Sequence, residues 1–352
     1  MLIFLSDLFG DNLVSFSGAL MIGGIFGALA QHSRFCLRSA TLEFGSFQPG
    51  AKMAVWLLTF SGAIIGVSLA LISGVLDISE ARQIAATGSM SGAVLGGLIF
   101  GVGMILARGC ASRLLVLSAT GNLRALTTGL LLTVVAQASL RGGLSPLRQY
   151  LSQLWTVSPG DARNLLSYAG AGPGTGLVIG MVIFVLAVGL AFRGDLRPSR
   201  LFAGAGVGGA VALGWIFTYQ MSRVSFEPLQ PQSISFTGPS ADTLMGLINV
   251  PNLPLQFSIG LVPGVFAGSF LAALASRELK LQGFHDGHSM LRYGAGAIFM
   301  GFGGMLAGGC AVGAGVTGGA IFAVTAWLAL FCMWLGALAT RAIMLRVSPQ
   351  SL

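Results

Sequence analysis

Two of the four cysteines in this sequence sit in matching runs of small residues. One run is GMILARGCASRLLVLSATGN around Cys110, and the other is GMLAGGCAVGAGVTGGA around Cys310. Cys36 closes the segment QHSRFC, and Cys332 lies in LALFCMWLGAL, where it reads as an ordinary core residue. A thiol in an apolar setting keeps its proton and offers a weak S–H donor and a polarizable surface. Such a group matches a strongly hydrated oxyanion poorly and an anion with a terminal sulfur well. Glycine-rich turns beside it expose backbone N–H groups, and the N-terminus of a following half-helix adds its positive end, which makes an anion cradle. Gly109 and Gly309 would line such a path with backbone. Several weak contacts in series favour passage over trapping.

The charges set the sign of the expected cargo. Arg34, Arg108, Arg113 and Arg223 flank the cysteine elements, and none of the eleven acidic residues falls inside an apolar run. A cation site or a carboxylate proton relay would place one there, so an anion is expected. Arg34 and Arg223 are candidate anion contacts, with anchoring of their spans at the membrane interface as the plainer role. Thr120 and Thr317 either line the path or cap the half-helices that follow. Ser225 is a pore-lining hydroxyl or a loop residue. No metal is expected: His32 beside one cysteine falls short of a ligand set, and His285 and His288 in QGFHDGHSM read as a solvated loop. No GxxxxGK[ST] loop appears, and no cofactor is expected.

The elements that must hold these residues follow from composition. The chain is 54% hydrophobic and 9% charged, against about 25% charged in a soluble domain, so lipid is its solvent. The apolar runs are continuous and about 20 residues long, which suits transmembrane helices rather than alternating barrel strands. We expect an all-α integral membrane protein with nine spans, near 14–33, 53–75, 89–107, 122–140, 174–192, 200–219, 257–276, 292–308 and 320–345. The 53 glycines suit close helix packing through small-residue contacts. The polar stretch 222–252 is long enough for a folded-back or interfacial segment. Of the 19 Lys and Arg residues, 14 fall on the side shared by the loops after odd-numbered spans. The positive-inside rule then puts the N-terminus outside and the C-terminus in the cytoplasm, with the protein in the cell inner membrane. Topology thus accounts for the net charge of +8 without a nucleic-acid partner. The N-terminal residues, with Asp7 and Asp11 and no early basic residue, are not expected to form a cleavable signal. The cysteines are not expected to form disulfides.

The two glycine–cysteine runs form an internal repeat. GGLIFGVGMILARGCA (96–111) and GAIFMGFGGMLAGGCA (296–311) align without gaps at eight of 16 positions, and QHSRFC is echoed by QMSRVS at 220–225, with Ser225 against Cys36. Five spans separate the matching elements, so the halves point opposite ways. The expected organisation is one transporter domain over 1–352, with a first inverted repeat at 14–140, a linking span at 174–192 and a second inverted repeat at 200–345. Each cysteine run is a helix that stops partway and continues through a re-entrant turn, tolerated at membrane depth only inside protein or along a wet cavity. The substrate site belongs near the midplane where the halves meet.

At QHSRFC, ARGCASRLLVLSATGN and GGCAVGAGVTGG the sequence resembles the YeeE/YedE sulfur transporters, and the resemblance extends in order and spacing over most of the chain. It implies thiosulfate uptake by an hourglass-shaped inverted-repeat body. It also implies three path cysteines, corresponding to Cys36, Cys110 and Cys310, that hand the anion inward through S–H···S contacts. Some family members work beside a small sulfur carrier of the TusA type; here, with the chain ending at Leu352, the carrier would be a separate protein. The expected function is import of thiosulfate or a closely related sulfur anion, without enzymatic activity. One alternative is a membrane sulfurtransferase holding a persulfide on a cysteine thiolate, for which Arg108 and Arg113 near Cys110 could supply the cationic environment. Another is a passive channel for a small neutral solute.

Overall fold

The computed structural model describes residues 2–225, 229–249, 255–283 and 287–347; His285 lies outside them. The first half of the chain begins with α1 (Leu2–Phe9) and α2 (Asp11–Ser33). It continues with α3 (Leu37–Gly45), α4 (Ala51–Ile72) and the single turn α5 (Arg82–Ala85). After strand β1 (Gly88–Ser89) come α6 (Met90–Leu106), α7 (Ala111–Ala119) and α8 (Leu123–Arg141). Helix α9 (Ser145–Gln153), strand β2 (Thr156–Val157) and the turn α10 (Leu165–Tyr168) form a cap, in which β1 and β2 pair antiparallel. Helix α11 (Pro173–Arg193) stands between the halves. The second half holds α12 (Pro198–Val224), α13 (Thr237–Asn249), α14 (Phe257–Ala275) and α15 (Gly287–Leu306). A π-helix (Ala311–Thr317), the turn α16 (Gly318–Ala320) and α17 (Val324–Val347) complete it. Among the described residues nine segments are long and apolar enough to cross a membrane. They coincide with the nine runs expected from composition, because lipid solvation leaves a continuous apolar run no other satisfied state. The protein is an all-α, multi-pass membrane protein.

Loop contacts define two faces. On one, Ser225 at the end of α12 donates to Asp11 at the start of α2 at 2.7 Å, and Gln220 Nε2 donates to Val75 O beyond the end of α4 at 2.9 Å. Ser89 at the start of α6 donates to Ser152 O in α9, at 2.7 Å. Buried Arg163 ties α5 to α17 there, donating to Arg82 O and to Thr325 Oγ1 at 3.0 Å. On the opposite face Arg34 beyond α2 meets Glu278 beyond α14, at 3.2 Å. Leu123 N–H at the start of α8 donates to Gln282 O, at 3.0 Å. Helices α2, α6, α11, α14 and α17 therefore run from the first face to the second, and α4, α8, α12 and α15 run back.

Glycines set how closely these helices cross. A Cβ on Gly96 of α6 would lie 2.6 Å from Gly303 O of α15, and a Cβ on Gly296 would lie 2.8 Å from Gly103 O of α6. These are two equivalent contacts, with the residue numbers of one offset by 200 from those of the other. At the crossing of α2 and α14, Gly23 sits against Leu261 O (2.6 Å for an added Cβ), and Gly268 against Gly24. Neither crossing has room for a side chain, which is the packing that drives helix association in lipid.

The polar stretch after α12 folds back, as its length suggested. Residues 229–236 form a strap that re-enters the body: Ser233 donates to Val211 O at 2.6 Å, and Ile234 and Phe236 are sealed from solvent. Helix α13 then leads the chain out towards α14.

Candidate functional site

Cys36, Cys110 and Cys310 occupy one local geometry three times. Each precedes a short helix as its N-cap: Cys36 for α3, Cys110 for α7 and Cys310 for the π-helix. Two residues before each cysteine the chain turns through a left-handed conformation, at Arg34 (φ 57°), Arg108 (φ 55°) and Gly308 (φ 84°). That turn ends the preceding long helix, and the next residue but one starts the short one. Glycine adopts it freely, whereas an arginine there costs on the order of 1 kcal/mol.

The sulfurs cap what the turn exposes. Gly313 N–H donates to Cys310 Sγ at 3.5 Å, whereas the sulfurs of Cys36 and Cys110 accept no such bond from the short helices they precede. First-turn N–H groups have no partner within their own helix, so each cysteine, as the residue before a short helix, lies beside the positive end of that helix. Cys36 and Cys110 also contact each other through their side chains, and Cys110 Sγ lies 3.3 Å from Ser112 Oγ. Arg113 is within electrostatic reach of both thiols. All four cysteines are buried as free thiols. Cys36, Cys110 and Cys310 share one core cluster, whereas Cys332 packs beside Gly97 where α6 meets α17.

A cavity of about 540 Å³ opens on the first face and descends to the Cys310 turn. Its floor is the backbone of Gly308, Gly309 and Gly313, together with Thr317. Thr317 Oγ1 donates to Ile234 O of the strap at 2.6 Å, and Thr317 O accepts from Trp215 Nε1 at 3.2 Å. Arg82 and Arg141 supply cations to the cavity wall, and Ser233 and Ser235 supply hydroxyls, with Ser235 against Gly313. The sequence reading did not single out these four residues. Arg82 and Arg141 belong to the small basic minority on their side of the membrane, which was the available signal. Nothing in the serines' local sequence indicates that the strap folds back into the body.

The remaining expected site residues fall as follows. Arg34 is half exposed and held by Glu278, which also accepts from Gln31 Nε2 at 2.9 Å. Arg223 is exposed and donates to the Tyr219 hydroxyl at 3.3 Å. Thr120 closes α7 and donates to Leu117 O at 2.8 Å. Ser225 ends α12, where it bonds Asp11. The residue that opens α13 as Cys36 opens α3 is Phe236. Ser240 N–H donates to Phe236 O at 3.0 Å, as Ala40 N–H donates to Cys36 O at 3.3 Å. Cys36 and Cys110 thus form a pair of neighbouring thiols, and Cys310 stands apart from them with hydroxyls around its turn.

The two glycines beside the cysteines differ in the space they leave. A Cβ on Gly309 would lie 2.7 Å from Ala314 N, a backbone atom, whereas a Cβ on Gly109 would meet the Leu114 side chain at 3.3 Å. Gly309→Ala should therefore distort the Cys310 turn and lower substrate uptake at least fivefold, with Gly109→Ala within twofold of wild type. Initial uptake rates at matched expression test this, and equal losses would mean that the two turns are equally tolerant.

Comparison with known proteins adds the chemistry. A family model described as sulphur transport matches residues 32–339. The chain is 27% identical to the thiosulfate transporter TsuA of Escherichia coli (strain K12), over 94% of this chain and 95% of the relative. It is 28% identical to the thiosulfate transporter TsuA of Spirochaeta thermophila, over 90% of this chain and 95% of the relative.

Proposed function

The chain belongs to the sulphur-transport family, and from that premise we propose that it carries thiosulfate, or a closely related sulfur anion, inward across the cell inner membrane along its three capped thiols. The observation that carries this reading is the threefold recurrence of a buried thiol at the start of a short helix, with the turn of one of them, Cys310, at the floor of a cavity whose wall holds Arg82 and Arg141. The arginines draw the anion in, and the Ser235 hydroxyl replaces water on its oxygens. Its terminal sulfur accepts from the Cys310 thiol while backbone N–H groups balance the charge. The anion then passes to the Cys36–Cys110 pair. No bond to sulfur breaks, so the protein acts as a transporter rather than an enzyme.

The excess of basic residues on the face opposite the cavity supports an inward-facing C-terminus, with the cavity opening outside. The order long, short, long, long, short, long recurs in α2, α3, α4, α6, α7, α8 and in α12, α13, α14, α15, the π-helix, α17. Matching long helices run in opposite directions. Both features support two inverted repeats, with the site where they meet. A separate carrier of the TusA type would receive the sulfur on the basic side.

Accumulation of sulfur-labelled thiosulfate in cells lacking other routes tests the substrate. Uptake that depends on the protein is expected; uptake no greater than in cells with an empty vector overturns the reading. Mass spectrometry of Cys110 after exposure separates transport from sulfur transfer, because a persulfide that persists through washing would mark an enzyme.

A further inference from the structure

On the face opposite the cavity, arginines gather beyond the thiols. Arg124 at the start of α8 donates Nη1 to Ala107 O at 3.1 Å and stands 4.9 Å from the centre of the Tyr293 ring, which Arg292 also approaches at 5.6 Å. Arg38, in the first turn of α3, is within electrostatic reach of Arg108, Arg124, Arg292 and Cys36. Arg113, in the first turn of α7, reaches Cys36, Cys110, Arg34 and Glu278. Both carboxylate oxygens of Glu278 are already held, one by Gln31 and the other by Arg34. None of Arg38, Arg113 and Arg124 forms an ion pair among the described residues. Arg38 Nε and Arg113 Nη1 are buried without a hydrogen-bond partner.

Buried donors left unsatisfied are costly, and neighbouring like charges repel. A bound dianion relieves both, and guanidinium forks match the spacing of oxygens on a tetrahedral centre. We infer that Arg38 and Arg124, with Arg108 and Arg292 around them and Arg113 on the thiol side, form a second anion site in which Arg38 and Arg124 hold a tetrahedral sulfur dianion by its oxygens. The site rests on the transport reading for its role: it takes the oxygen end of the substrate as the sulfur leaves Cys36 and Cys110. Sulfate already present on that side has the same oxygens and occupies the same site, so it slows uptake from within.

Sulfate is the probe. Thermal unfolding of the purified full-length protein is followed at rising sulfate against chloride at matched ionic strength. The midpoint of the wild type should rise. Arg38→Gln and Arg124→Gln should each lose at least half of that rise, and Arg346→Gln, exposed on the same face, should keep it. If a glutamine variant does not fold, Arg124→Lys, which keeps the charge but loses the fork, takes its place with the same expectation. No rise in the wild type, or equal rises in wild type and variants, overturns the site. Right-side-out membrane vesicles loaded with sulfate or chloride then separate the two sources. A several-fold slower thiosulfate uptake with internal sulfate, relieved by Arg124→Gln, supports occupancy by sulfate from that side. An arginine-dependent thermal rise without slowing supports a site used only by departing substrate. A protein that takes up no thiosulfate yet shows the arginine-dependent rise sinks the transport reading and leaves the site standing. Uptake without the rise sinks the site alone.

Discussion

Alanine at Cys110 or at Cys310 is expected to cut thiosulfate uptake at least tenfold, while alanine at Cys332 leaves most of it intact. Cys110 and Cys310 lie in two different turns, each as the residue before a short helix, and Cys310 Sγ also accepts from Gly313 N–H. A hydrogen bond to a charged partner is worth about 1.5–3 kcal/mol, which corresponds to a loss of roughly ten- to a hundredfold when it is made only in passage. Contacts arranged in series do not substitute for one another, so either loss interrupts the path. Cys332 packs beside Gly97 and lies outside the cluster shared by the other three thiols. Serine at Cys110 or Cys310 separates two contributions, because it keeps a donor and removes the polarizable sulfur; uptake between wild type and alanine is the expected result. The measurement is initial uptake of labelled thiosulfate at matched membrane expression. Normal rates in both alanine variants would reduce the repeated cysteines to packing residues.

The second large effect concerns assembly rather than chemistry. Gly96→Val and Gly296→Val should each abolish most of the folded protein recovered in detergent, whereas Gly189→Val on α11 should be close to neutral. An added Cβ at Gly96 or Gly296 meets backbone atoms of the opposing helix, and at Gly189 it meets nothing within 4 Å. Overpacking against adaptable side chains costs about 1–3 kcal/mol. Here the obstacle is backbone, and the crossing of α6 with α15 must open, which also moves the turns that carry Cys110 and Cys310. Because the two glycines meet equivalent backbone atoms, Ala307 N and Ala107 N, the two valine variants should lose similar amounts. Size-exclusion profiles and thermal unfolding of the three variants give the comparison. A Gly96→Val protein that unfolds at the wild-type temperature would mean that the crossing yields without penalty.

The nine spans were legible in the sequence because they depend on a local property. A run of about 20 apolar residues in a chain this poor in charge has one stable solution in lipid, and each observed long helix begins and ends within a few residues of its run. The two glycine–cysteine runs were legible for a similar reason: a helix rich in small residues that ends at Gly-Cys carries its own stop signal. What the sequence left open depends on which helices cross. Cys36 and Cys110 meet only because the packing of the long helices brings the turns that start α3 and α7 together, and neither segment encodes the other's position. The echo of QHSR in QMSR aligns Ser225 with Cys36, yet the helix after Ser225 starts only at Thr237, which gives Phe236 the capping place and sends Ser225 to Asp11. Arg34, an expected anion contact, is met by Glu278 beyond the end of α14, a pairing that no local signal announces. Arg82 and Arg141 looked like loop charges until a cavity formed between them and the Cys310 turn. Hydrophobic length determines each helix by itself, and contacts between glycines some 200 residues apart, as at Gly96 and Gly303, determine which side chains meet.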